Sequence, residues 1–75
     1  MGYSKAHRMS LEACEELKAE ARDWLRKHKV GASRLSLQAD VKERTIKRWL
    51  EGDIDRLHIV AYARIWLVLH PENEG

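Results

Sequence analysis

The stretch ASRLSLQADVKERTIKRWLE, residues 32–51, decides the fold. Its apolar residues recur at helical spacing on either side of a short break. Leu35 and Ala39 fall on one face of a first short helix, and Ile46, Trp49 and Leu50 on one face of a second. Val41 lies between them, where it fills a turn, and Ala39 is small enough to let the two helices approach closely. Two short helices that meet steeply across three or four residues need buried side chains at such places. The remaining positions Lys42, Glu43, Arg44, Lys47 and Arg48 are long and polar, and all but Glu43 are basic. A helix that enters the major groove of DNA needs such side chains, either to donate to guanine or to neutralise phosphates.

Outward from this segment, the pattern predicts a helix over residues 10–29. Ser10 caps it, Glu12 sits in the first turn where the helix dipole favours an anion, and Gly31 is the expected stop. Leu11, Cys14, Leu17, Ala21, Trp24, Leu25 and His28 share one face of it. A second helix is expected over residues 33–40 with Ser33 as cap, and a third over residues 43–51, ended by Gly52. A fourth is expected to start from a cap at Asp53 or Asp55 and to run to about His70, where Pro71 blocks continuation. No stretch alternates with a period of two, so no strand is expected. The expected architecture is all-α, a compact bundle of about four helices containing a helix-turn-helix. Residues 1–9 are expected to form a loose arm, residues 10–72 the single domain, and residues 73–75 a frayed end.

A chain of 75 residues holds one small core and no deep catalytic pocket, so an enzyme is not expected. With no Phe, its bulky core candidates are Trp24, Trp49 and Trp66. Cys14 is the single cysteine, which excludes an intrachain disulfide and a cysteine-built zinc site and fits a reducing, cytoplasmic setting. It lies on the apolar face of the first helix, as a structural thiol would. His7, His28, His58 and His70 are scattered, so neither metal nor other cofactor is expected. The N-terminal residues lack the apolar run of a signal peptide, and Ala6 stands where a myristoylation signal after Gly2 wants Ser or Thr. The run Ile59 to Leu69 is interrupted by Arg64 and is too short to span a bilayer.

Net charge, +2 overall, conceals a polarity. Residues 26–50 carry eight cations against Asp40 and Glu43, for +6, whereas residues 10–25 and 51–75 each carry −3. A basic middle between acidic ends is a footprint expected of a nucleic-acid binder. The alternative for the same segment is an ordinary helical hairpin with a basic, solvated side.

At Leu35, Ser36, Ala39, Val41, the pair Thr45-Ile46, and Trp49, the segment resembles the helix-turn-helix of the lambda-repressor/Cro-like family. The resemblance covers about a quarter of the chain strongly and most of it loosely. It implies that the third helix reads bases while Ser33 and Arg34 touch the phosphate backbone. The DNA-binding set it implies is Ser33, Arg34, Gln38, Lys42, Glu43, Arg44, Lys47 and Arg48. Asp40 stands where the family usually has Gly, at a position that tends to need positive φ, which Asp tolerates better than most residues. Lys42 stands where a Ser often caps the recognition helix, and Ser36 replaces the usual Ala.

The last helix is apolar on two sides. Leu57, Ala61, Ile65 and Val68 form one stripe, and Ile59, Ala63, Trp66 and Leu67 lie roughly opposite, with Val60 nearby. Such a helix must be covered twice. Either the first helix folds over the second face, or a second copy does. The latter is expected, with Ile59, Ala63, Trp66 and Leu67 at the interface of a homodimer. The function expected is that of a cytoplasmic transcriptional regulator of bacterial, phage or mobile-element type. It would be repressor-like, dimeric, and bound to double-stranded DNA, with no membrane and no metal partner. The alternative is a small helical interaction module that sequesters a host or partner protein through its apolar last helix.

Overall fold

In the computed structural model, which describes residues 8–71, Ser10 is extended and its Oγ accepts a hydrogen bond from the amide of Ala13 at 3.1 Å. Helix α1, Leu11–His28, starts there, with Glu12 in its first turn. Cys14, Leu17 and Ala21 are its buried residues, Trp24 and Leu25 pack partly against the core, and Leu11 and His28 at the two ends of the stripe are exposed. The stop comes earlier than Gly31. Lys29 turns left-handed at φ 57°, its amide donates to Arg26 O at 3.2 Å, and the amide of Val30 reaches Leu25 O at 3.1 Å. This pair of bonds closes a Schellman end with a lysine where glycine is usual. Gly31 is extended at φ −105° and ψ −175° and opens the next helix instead.

Helix α2, Ala32–Ala39, therefore begins one residue before the expected range, and Ser33 lies inside it rather than capping it. The carbonyl of Gly31 already accepts from Arg34 at 3.1 Å, so the first helical bond precedes Ser33, and no side chain caps this end. Asp40 ends α2 in the left-handed region at φ 58°, as expected for that position. Helix α3, Glu43–Glu51, runs over the expected range and is closed by Gly52 at φ 93°. There the amides of Gly52 and Asp53 donate to Trp49 O and Arg48 O at 3.2 and 2.8 Å.

Neither Asp53 nor Asp55 caps the last helix. The amide of Asp53 is used in closing α3, and residues 54–57 run outside regular structure, delivering Leu57 to the core with 1% of its surface exposed. His58 is the cap of α4, Ile59–Leu69, and its Nδ1 accepts from the amide of Val60 at 3.2 Å. Residues 8 and 9, expected in a loose arm, are tied down. Arg8 forms an isolated antiparallel bridge with His58, and the amide of Met9 donates to Leu57 O at 2.9 Å. The rest of the expected arm (with His7), Glu72 as the last residue of the expected domain, and the expected frayed end at residues 73–75 lie outside the described residues.

The result is an all-α bundle of four helices, with no strand among the described residues. Helix α2 packs on α3 and α4, and α1 packs on α4 and α3. The core joins Cys14, Leu17 and Ala21 of α1 to Leu35 and Ala39 of α2, Ile46 and Trp49 of α3, Leu57, and Ile65 of α4. Polar contacts stitch the rim. Arg22 of α1 donates to the carbonyl of Leu50 at the C-terminal end of α3, where a cation also suits the helix dipole. His70 meets Glu20 at 2.7 Å, and Cys14 Sγ accepts the buried amide of Leu57 at 3.2 Å. Half-burial, and then the negative charge that Cys14, Glu20 and Glu16 can carry, push the Tyr62 phenol above its ordinary value, so it stays protonated.

Trp49 is the largest fully buried side chain. Its indole N–H finds no acceptor among the described residues, a penalty that only a large apolar burial offsets. Trp49→Ala is expected to cost about 3–5 kcal/mol, comparable with the whole stability of a domain this small. Thermal melts followed by circular dichroism check this, and a near-wild-type transition would mean that Trp49 is not the centre of the core.

Candidate nucleic-acid interface

Because Ile46 and Trp49 face inward, the other side of α3 is turned to solvent. Glu43, Arg44, Lys47, Arg48 and Glu51 line a shallow depression there. Every one of Lys42, Glu43, Arg44, Lys47 and Arg48 is exposed, as their spacing implied. Lys47 Nζ lies 4.0 Å from Glu43 Oε2, an i,i+4 pair with both side chains about half exposed. Such a pair is weak and easily exchanged for other partners. Arg44 and Arg48 have no ion-pair partner among the described residues, and neither does Lys42. Glu51, at the far end of the depression, was not among the residues expected there. Its carboxylate moderates the charge of that end.

Ser33, Arg34 and Gln38 are exposed on α2. They line neither this depression nor the larger cleft described next. The Ser36 hydroxyl turns back to the Ser33 carbonyl at 2.7 Å, within the helix.

The larger concavity, about 730 Å³, opens between the start of α3 and the start of α4. Arg8, Lys42, Thr45, Arg56, His58 and Arg64 are among the residues that line it. Arg64 was read from the sequence only as an interruption of an apolar run. It braces the α2–α3 turn, donating from Nη1 to the carbonyl of Asp40 at 2.9 Å and lying 3.6 Å from its carboxylate. Sequence patterning could not reveal this, because the two residues are 24 positions apart.

On α4 the second apolar side divides. Ile59 and Leu67 are 41% and 45% exposed, Val60 is 48% exposed, and Ala63 is exposed too. Trp66 is not the centre of that face. It is half-buried against the core and stacks on His70 with ring centres 4.3 Å apart. A shallow apolar groove lined by Tyr62, Ala63, Trp66 and Leu67 remains open.

Among the described residues no three His, Cys, Asp or Glu side chains gather as a metal site would require, and no helix is long and apolar enough to cross a membrane. Comparison of the chain with protein-family models, with characterised proteins and with solved structures gives no match.

The start of α3 is energetically incomplete. Lys42 occupies its N-cap with φ −57° and ψ 134°, and no side chain accepts from the first free amides. Lys42→Ser is expected to add about 1 kcal/mol of stability by supplying that acceptor. For a chain of this size the gain corresponds to roughly 4–8 °C in Tm. An unchanged Tm in calorimetry would show that those amides are already satisfied.

Proposed function

We propose that this protein is a sequence-specific double-stranded DNA-binding regulator that reads the major groove with α3. The observation that carries the reading is the division of α3. Ile46 and Trp49 are fully buried, while Glu43, Arg44, Lys47 and Arg48 stand in solvent on the opposite side. Burial fixes the rotation of the helix, so the four long side chains are presented together, ready for base edges and phosphates. Arg44 and Lys47 are the base-reading candidates. Arg48, Arg34 and Lys42 are assigned to phosphates, with Ser33 and Gln38 as further polar contacts from α2. The α2–α3 pair acts as the helix-turn-helix, and the basic middle of the sequence supports that role. The regulator acts in the cytoplasm as a repressor of the phage or mobile-element kind.

Selection of binding sites from random duplexes tests this directly. A shared sequence should emerge, and Arg44→Ala and Lys47→Ala should each lose roughly 1–3 kcal/mol of discrimination between selected and random DNA. Full discrimination in both variants would overturn the assignment of α3.

A homodimer through the outer side of α4 belongs to the same reading. Ile59, Val60 and Leu67 leave an apolar patch in water, with Ala63 between them. Pairing across a two-fold axis would cover it and set two α3 helices about 34 Å apart, one per half-site. Trp66 helps to line the groove beside that patch. The same patch favours a second reading, a module that docks on another protein. Leu67→Glu, at a position nearly half exposed, should leave the fold intact but give a monomer with much weaker full-site binding, because the half-sites no longer reinforce one another. Sedimentation decides between the readings, since a wild type monomeric at micromolar concentration leaves the patch to a different protein.

A further inference from the structure

We infer that the cleft between α3 and α4 is a phosphate-binding site, formed by Arg8, Lys42, Arg56 and Arg64. None of Arg8, Arg56 and Arg64 was assigned a functional role from the sequence. Yet they line one concavity with Lys42, and among the described residues the only carboxylate lining it is that of Asp40. That carboxylate is 91% exposed and 3.6 Å from Arg64, so water screens most of its effect. Among the described residues, four cations thus line the concavity against one weakly coupled anion.

Two of the guanidinium groups are held in place by backbone carbonyls, Arg56 with no carboxylate against it among the described residues and Arg64 beside the exposed carboxylate of Asp40. Arg56 Nε donates to the carbonyl of Met9 at 2.8 Å, and Arg64 Nη1 to the carbonyl of Asp40 at 2.9 Å. A carbonyl orients an arginine and leaves its charge intact. It also leaves the terminal nitrogens of Arg56 for another acceptor. The bridge between Arg8 and His58 fixes the backbone of Arg8 beside the concavity. Ile54, Leu57 and Ala61 add an apolar part to the lining. Low-dielectric walls around charges of one sign concentrate the field in the opening. Forked donors beside such an apolar lining suit a phosphate with a sugar or apolar body attached.

That phosphate has two possible sources, a phosphodiester of the strand running past α3 or a free phosphoester. The strand source rests on the DNA reading above, and the free ester does not. Both are tested with the full chain, comparing wild type with the double variant Arg8→Gln/Arg56→Gln. Glutamine removes the charge but keeps an N–H that can reach the Met9 carbonyl. Arg8→Gln alone repeats each measurement in case the double variant melts early, since Arg8 is tied to the fold through its backbone bridge to His58.

One arm titrates duplex binding against salt. If the strand is the source, the log–log slope of the double variant becomes shallower by about 2, roughly one for each lost phosphate contact. Discrimination between sequences should persist. The other arm titrates phenyl phosphate, with phenol as control, and follows backbone amide resonances. If a free ester is the source, saturable shifts appear over residues 41–45 and 54–61 and vanish in the variant. An unchanged slope together with no saturable shift overturns the site while leaving duplex binding untouched. A wild type that binds phenyl phosphate here but no duplex overturns the DNA reading and supports the site.

Discussion

Burial of Ile46 and Trp49 on one side of α3 is the constraint from which the rest of the molecule follows. A helix of nine residues has little stability of its own. It persists because those two side chains are removed from water into a core shared with Leu35 and Ala39 of α2, Leu17 of α1 and Ile65 of α4. The same burial sets the rotation of α3 about its axis. That rotation, not any property of Arg44, Lys47 or Arg48 themselves, puts those side chains in solvent together. The orphaned indole N–H of Trp49 marks how strongly shape and apolar area outweigh hydrogen bonding at this point.

Helix ends are the second organising element. Each of α1, α2 and α3 closes on a left-handed residue, and only the third of these is glycine. Lys29 and Asp40 adopt that conformation against their own preference, because the chain must turn at once to bring short helices onto one small core. Cations then reinforce the exposed carbonyls. Arg22 reaches the end of α3 and Arg64 the turn after α2. Such charged hydrogen bonds are stronger than neutral ones and suit the negative end of a helix dipole. The arginines that complete the fold are thereby drawn toward the α2–α3 unit, and one of them helps to form the cleft beside it.

Much of the candidate interface was legible because it is local. The exposed row on α3 follows from the periodicity of residues 43–51, and the uncapped Lys42 and left-handed Asp40 follow from their places around the turn. What escaped sequence reading was non-local. The cleft gathers Arg8, Lys42, Arg56 and Arg64 from four separate parts of the chain, and no spacing rule joins them. The cap of α4 was misplaced because a run of acidic residues, Asp53 and Asp55, looked like a start signal. The chain instead needs residues 54–57 to carry Leu57 across to Cys14 before His58 can open the helix.

The amino-acid sequence by itself determined the all-helical character of this protein, the position of α3, and which of its residues face water. Those depend on a 3.6-residue period and on turn chemistry, both written within a few neighbouring positions. Only the tertiary structure decided that Ser33 lies inside α2, that Lys29 rather than Gly31 ends α1, and that Trp66 leans into the core while Ile59 and Leu67 remain exposed. A helix apolar on two sides carries no local signal of which side will be covered. That choice depends on how α1 lies across α4, where His70 meets Glu20, and hence on contacts 50 residues apart.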